Sequence, residues 1–283
     1  MIKVAIQKSG RLNKESLKLI GDCGVNFEVY RDQLKVISKN YPIEIYFLRN
    51  GDIPKYVNDG VVDLAIIGEN TLNEKGYKLN IIEKLGFSKC RISVAVPKDF
   101  KYKSIDDLNN IRIATSYPNT LKKFLKKEGV KSDLHIINGS VEISPSMGLA
   151  DAICDIVSSG STLFENNLVE VVTLFESQAV LVQSNNIKKD ICSEINNFVF
   201  RIRSVLLAKK FKYILMNAPN KSINKISQIL PVLKSPTVLP LAKDGWSSIH
   251  SVIDYEDFWN IIDMLKKEGA EDILVCPIEK MVL

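Results

Sequence analysis

Residues 43–70 read IEIYFLRNGDIPKYVNDGVVDLAIIGEN, and three consecutive elements are legible in them. The first six residues, IEIYFL, form an apolar run that suits a strand. The polar loop RNGD follows, and a helix opens at IPKYVNDG. Pro54 suits the first helical turn, where a missing N–H costs nothing. Then VVDLAIIG, at 61–68, reads as a buried strand. Strand, helix and strand in this order predict a βαβ unit and a largely parallel sheet.

The same rhythm runs to both sides. The chain starts with the strand IKVAI, the loop QKSGR and a helical spacing over 12–23. A second series starts near Arg91 with the strand RISVAVP. Ser104, with Asp107 three residues later, resembles a capping box. IRIATS is a strand, YPNTLKKFLKKEG a helix closed by Gly129, and DLHIIN a strand. VEVVTLF and QAVLVQS finish the series as strands, and 188–210 carries one long helical pattern. Beyond it the order is βαββαβ: KYILMNAP, KSINKISQIL, PTVLPL, WSSIHSVI, YEDFWNIIDMLKKEG and DILVCPI. That is the order of a ferredoxin-like unit of roughly seventy residues. Its last helix is expected to be capped by Asp254, with Asp257 at N3, and closed by Gly269.

The chain has 283 residues, enough for about two or three domains. Hydrophobic residues at 46% and charged residues at 25% allow a core that needs no disulfide or metal. The net charge of +5 is spread along the chain. That argues against a nucleic-acid tail and suits a protein handling phosphorylated metabolites. Five scattered cysteines without a C-x-x-C pair read as reduced thiols of a cytosolic protein. Two distant histidines, His135 and His250, argue against a histidine metal site. The N-terminus lacks the pattern of a secretory signal, and no apolar run approaches the roughly 18 residues of a membrane helix. The expected location is cytoplasmic.

The chemistry is concentrated in ISPSMGLADAICDIVSSGSTLFENN, residues 143–167. It reads as an amphipathic helix with Met147, Leu149, Ala150, Ile153 and Ile156 on the buried side. Asp151 and Asp155, four apart, would then share a face. Such a pair gains from hydroxyls, a metal ion or a cation lying over it. Next come Ser158, Ser159, Gly160, Ser161 and Thr162. Gly160 allows backbone conformations that a Cβ forbids, and a helix starting near Thr162 would aim its first N–H groups at the same space. Composition alone favours an ordinary turn with Thr162 as N-cap. A carboxylate placed just before the loop adds the other reading, a sugar hydroxyl held by Asp155 and a phosphate held by the loop.

Three further loops follow strands: QKSGR with Lys8, Gly10 and Arg11; RNGD with Arg49; GEN with Glu69. In open α/β sheets ligands sit beyond the carboxyl ends of strands, so these loops would share one rim. There Lys8, Arg11 and Arg49 suit polyphosphate, although each alone is more often a solvated cation. Tyr117, after IRIATS, would pack on a base or roof a helix start.

These residues carry a resemblance. GLADAICDIVSSGSTLFENNL closely resembles the phosphoribosyl-diphosphate signature of ATP phosphoribosyltransferases, the first enzymes of histidine biosynthesis. Glu142, Pro145, Gly148, Asp151, Asp155, Gly160 and Thr162 match it; Ile143-Ser144 replaces a more familiar small or apolar pair. VAIQKSGRL, RNGDIPKYVNDGVVDLAIIGEN, RIATSYPNT, SPTVLPL and ILVCPIEKM are also similar to the family, so the resemblance spans essentially the whole chain. The βαββαβ tail resembles the long form, which senses histidine and forms dimers and hexamers.

The resemblance implies an α/β fold: a two-lobe catalytic body like periplasmic binding proteins, plus the ferredoxin-like regulatory domain. The implied bounds are 1–89 with 178–208, 90–177, and 209–283, the chain crossing near 89–91 and returning near 177–182. It implies transfer of phosphoribosyl from phosphoribosyl diphosphate to N1 of ATP, releasing pyrophosphate, with Mg²⁺ held mainly through the diphosphate. The 5-phosphate goes to Ser158–Thr162 and the ribose hydroxyls to Asp155, with Asp151 on the same substrate. Glu142 serves ribose or metal-linked contacts, and Lys8, Arg11 and Arg49 the phosphates. In the tail, Asn217, Ser235 and Thr237 are implied for inhibitory histidine, against an equal case for turn residues and strand caps. A non-catalytic two-lobe solute-binding protein is the main rival, because fold does not fix function. An effector-sensing transcription regulator would need a DNA-binding module, for which the sequence offers no segment.

Overall fold

The computed structural model describes residues 1–230 and 235–282. In chain order, β1 (Ile2–Gln7) leads to α1 (Gly10–Asp22), β2 (Lys35–Ile37), β3 (Ile43–Leu48), α2 (Ile53–Asn58), β4 (Leu64–Gly68), α3 (Glu69–Lys75) and β5 (Asn80–Lys84). Next are β6 (Cys90–Pro97), β7 (Arg112–Thr115), α4 (Pro118–Glu128), β8 (Asp133–Ile136), β9 (Ala152–Val157), α5 (Ser161–Glu165) and β10 (Leu168–Ser177). Then β11 (Ala179–Gln183), α6 (Cys192–Lys210), β12 (Phe211–Pro219) and α7 (Ile223–Ile229) follow. The last elements are β13 (Thr237–Pro240), β14 (Trp246–Asp254), α8 (Phe258–Lys267) and β15 (Glu271–Pro277).

The chain divides into two units, one of residues 1–21 and 25–195, the other of 22–24 and 196–283. The first unit holds two sheets. One has the order β2-β3-β1-β4-β11-β5 and the other β10-β6-β9-β7-β8. The opening βαβ reading holds: β1 pairs in parallel with both β3 and β4, with Ile6 opposite Phe47 and Ile66. Both faces of this centre are covered, which explains the unbroken apolar runs. Leu64, Ala65, Ile66 and Ile67 are all fully buried. Truncating Ile66 to Ala would cost about 2–5 kcal/mol. The chain crosses between the sheets twice, from β5 to β6 and at Gln178 between β10 and β11. This is the two-lobe α/β body that was expected.

Several local expectations change. Residues 152–157 form β9, not a helix. Met147 is 71% exposed instead of buried, and Gly148 breaks the run with φ at +71°. β9 lies in the middle of its sheet, parallel to β7 and antiparallel to β6. A short apolar run buried on both faces has no period that separates strand from helix. Consequently Asp151 and Asp155 share no helical face. GEN is not a loop but the start of α3, and β2 and β5 had given no signal in the pattern. Asp254 does not cap α8; its Oδ1 accepts from Glu256 N–H, and Asp257 stands at the N-cap. The capping box of Ser104 and Asp107 is present, on a short 3-10 turn.

The second unit carries a four-stranded antiparallel sheet of order β13-β14-β12-β15. With α7 and α8 this is the ferredoxin-like βαββαβ arrangement. Ile214, Met216, Ala218, Ile249 and Ile253 pack on Ile226, Leu230, Ile261 and Leu265 of the helical layer. Strand alternation sends Leu215, Asn217, Ser248 and His250 to the opposite face.

Candidate functional site

The parallel pairing of β1 with β3 and β4 brings the carboxyl ends of those strands to one rim. The backbone ties two of their loops directly, Lys8 N–H donating to Leu48 O at 2.8 Å. Lys8 and Arg49 are exposed there. Gly10 has φ at +87°, in the left-handed region that glycine tolerates. Arg11 lies at the start of α1 with its side chain 64% exposed, and its Nε is 3.4 Å from Glu15. Glu69 is half-buried, with Lys84 Nζ 3.7 Å away.

The second sheet repeats the device with β7 and β9, which run in parallel. Asp155 lies near the end of β9 and is 8% exposed. Ser116, the first residue after β7, donates from Oγ to Asp155 Oδ1 at 2.7 Å. Burial pushes the Asp155 carboxyl above its ordinary pKa; bonds from Ser116 and the Ile156 N–H oppose this, and the Glu142 charge adds to it. Glu142 itself is half-buried in a short 3-10 turn, 141–143. The Glu142 charge thus acts on Asp155 as a like charge, the smallest of these causes.

Beyond β9, Ser158, Ser159, Ser161 and Thr162 are exposed around Gly160. Gly160 is the N-cap of α5, with φ at +83° and no side-chain capping bond. Ser159 Oγ and Ser161 Oγ are 3.0 Å apart. A short loop of hydroxyls and first-turn amides is thereby presented outward. Asp151 has a different place. Its Oδ1 accepts from Arg112 Nη2 at 2.7 Å and its Oδ2 from Arg112 N–H at 2.9 Å. This ion pair, with a lowered Asp151 pKa caused first by Arg112, replaces the pairing with Asp155.

The two lobes of this unit are joined by polar contacts no sequence pattern indicated. Asn70 Nδ2 donates to Tyr117 Oη at 2.9 Å, and Ser177 Oγ accepts from Asn70 N–H at 2.9 Å. Gly68 makes room for this, since a Cβ there would stand 2.2 Å from Asn70 Oδ1. Burial raises the Tyr117 pKa above the ordinary range, so its phenol stays protonated. The buried Glu74 carboxylate accepts from Asn119 N–H and Thr120 N–H, each at 2.9 Å. It occupies the N-terminus of α4 from the other lobe. Arg91 makes a two-point ion pair with Glu170, and its Nη1 donates to Ser158 O at 3.3 Å. Arg91 therefore braces the loop of serines.

A cleft of about 440 Å³ lies among these groups, lined by Glu69, Arg91, Ser158, Ser177 and Gln178. A second recess of about 350 Å³ is lined by Asn50, Thr71, Lys75, Ser116 and Asn119. Among the described residues no group of three or more His, Cys, Asp or Glu is arranged to hold a metal ion, and no helix is long and apolar enough to cross a membrane. In the second unit, Asn217 Nδ2 donates to Asp272 Oδ2 at 3.0 Å. Thr237 opens β13 opposite His250, and Ser235 is exposed just before it. Asn217 and Thr237 lie on the helix-free face of the sheet.

The family model of ATP phosphoribosyltransferase matches residues 49–204, and that of the HisG C-terminal domain matches 208–280. An ATP phosphoribosyltransferase of Cytophaga hutchinsonii is 50% identical over 282 residues, covering 100% of this chain and 99% of that protein. One of Bacteroides thetaiotaomicron is 48% identical over 283 residues, covering both chains fully at 100%. Among solved structures, a chain of the ATP phosphoribosyl transferase (HisG:HisZ) complex from Thermotoga maritima is similar with a TM-score of 0.64 and 29% identity. It covers 73% of this chain and 98% of that one.

Proposed function

This chain belongs to the ATP phosphoribosyltransferase family, and on that premise we propose that it joins phosphoribosyl diphosphate to N1 of ATP. Adenine N1 forms a bond to the anomeric carbon as the carbon–oxygen bond to diphosphate breaks. The electron pair leaves with pyrophosphate. Positive charge develops on the sugar and negative charge on the departing oxygens, so alignment and electrostatics carry the catalysis. No side-chain nucleophile is needed.

The observation that carries this reading is the placement of Asp155. A buried carboxylate stands at the end of a strand directly before the Ser158–Thr162 loop, with Glu142 close enough to raise its pKa. The loop receives the 5-phosphate through amides and hydroxyls, and Asp155 with Glu142 receives the ribose hydroxyls. Lys8, Arg11 and Arg49 hold the diphosphate or the ATP phosphates. Glu69 and Tyr117 border the nucleotide, Tyr117 through its ring because its hydroxyl is held by Asn70. Mg²⁺ would enter with the diphosphate of the substrate, with no protein cluster to hold it among the described residues, and would neutralise charge on the leaving group.

The catalytic body is drawn at 1–89 with 178–208 and at 90–177, and the regulatory domain at 209–283. That domain binds histidine through Asn217, Ser235 and Thr237 and inhibits the reaction. The working form is a cytoplasmic homo-oligomer, between dimer and hexamer. Incubating the protein with ATP, phosphoribosyl diphosphate and Mg²⁺ and resolving products by mass spectrometry tests the reaction. Equal amounts of phosphoribosyl-ATP and pyrophosphate are expected. ATP recovered unchanged from folded protein would leave the rival solute-binding reading.

A further inference from the structure

We infer that Ser116 is a positioning residue that sets the Asp155 carboxylate for the ribose diol. The inference rests on the phosphoribosyl reading of the same site and deepens it.

Ser116 follows β7 by one residue, and Asp155 follows the Thr115–Cys154 register pair by one on the parallel β9. The side chains meet at the growing end of that ladder, Ser116 Oγ donating to Asp155 Oδ1 at 2.7 Å. An ionised carboxylate only accepts, so the hydroxyl proton must lie on this bond. A charge-assisted bond of this kind is roughly twice as strong as a neutral one.

The hydroxyl is itself held in place. Thr115 Oγ1 donates to Cys154 O at 2.6 Å and accepts Tyr117 N–H at 2.9 Å, fixing the residues on either side of Ser116. Tyr117 Oη then accepts from Asn70 of the other lobe. The orientation of Asp155 is thus referred to both lobes through one short turn.

The count of acceptor positions gives the reason. A carboxylate offers about four lone-pair sites. Ser116 uses one, on Oδ1. About three sites then remain, enough for two vicinal ribose hydroxyls, and the bond to Ser116 fixes the plane in which they lie. Without Ser116 the carboxylate turns about its terminal torsion, which is broad for aspartate. The diol would then meet the wrong plane.

The test is a double-mutant cycle on the full chain with Ser116→Ala, Asp155→Ala, the double variant and Ser116→Thr. Calorimetric titration with Mg²⁺–phosphoribosyl diphosphate and with ribose 5-phosphate reads binding, and steady-state rates read turnover. Ser116→Ala should raise the phosphoribosyl-diphosphate KM about tenfold, as loss of a charged hydrogen bond does, with the ATP KM nearly constant. In the Asp155→Ala background the same change should add less than about twofold. Ser116→Thr, which keeps the hydroxyl, should restore most of the binding.

An equal loss for both substrates, or an undiminished Ser116→Ala effect without Asp155, would overturn the inference. The transferase reading fails separately. If the wild type binds ribose 5-phosphate but forms no product, the reaction assignment falls while the binding cycle still decides the role of Ser116. If the wild type binds neither phosphoribose, both fall.

Discussion

Asp155 is buried at a cost to the fold. Its pKa is raised in the folded protein, burial being the largest cause. Between the ordinary aspartate pKa and this raised value, the folded state holds more protons than the unfolded one. Stability from this group therefore falls as pH rises through that window, and the full cost is present above it. Asp155→Asn should raise the melting temperature at pH 7, with a smaller gain near pH 4, while weakening phosphoribosyl-diphosphate binding about tenfold or more. Scanning calorimetry at both pH values checks the sign, and a lower melting temperature at pH 7 would refute the cost. Such a trade of stability for function is common at sites. The residue was legible in the sequence because it precedes a glycine break. Ser116 was not, since its partner is 39 positions away.

At the scale of elements, the loop between β9 and α5 depends on Gly160 and Arg91. A Cβ at Gly160 meets nothing within 4 Å, so its φ of +83° is the reason for glycine. Gly160→Ala should cost about 1–2 kcal/mol of backbone strain and several-fold in phosphoribosyl-diphosphate KM, with ATP KM unchanged. Arg91 holds Glu170 at a pKa of about 2. That depressed value stabilises the fold above the ordinary glutamate range and is lost as pH falls toward the folded value. Arg91→Ala should therefore lower the melting temperature at pH 7 more than at pH 3, and acid-unfolding curves of the two proteins should converge. Parallel curves would contradict the pairing.

The element pattern explains where sequence reasoning worked. Strands of the opening βαβ unit were legible from their runs and punctuation. β9 was misread because a strand buried on both faces mimics part of a helix. The contacts of Asn70, Glu74 and Arg91 were invisible, because each spans from 45 to 107 residues in sequence. No periodic pattern reports such long-range polar partners.

For the molecule as a whole, the sheet of the second unit has its own core of Ile214, Met216, Ile249, Ile253, Ile261 and Leu265. Part of α6 belongs with that unit, and Met281 N–H donates to Ser204 O at 3.1 Å. With the proposed histidine sensing placed in this unit, removing 212–283 is expected to leave a transfer reaction indifferent to histidine. Inhibition persisting in an active truncation would refute the sensing role.

One continuous assay on the full chain decides both the proposed phosphoribosyl transfer and its proposed inhibition by histidine. Protein, ATP, phosphoribosyl diphosphate, Mg²⁺ and pyrophosphatase are mixed, and ultraviolet absorbance is followed with and without histidine. A steady rise from N1-substituted adenine that histidine suppresses is expected. A flat trace from folded protein would contradict the transfer, and a rise indifferent to histidine would contradict its regulation.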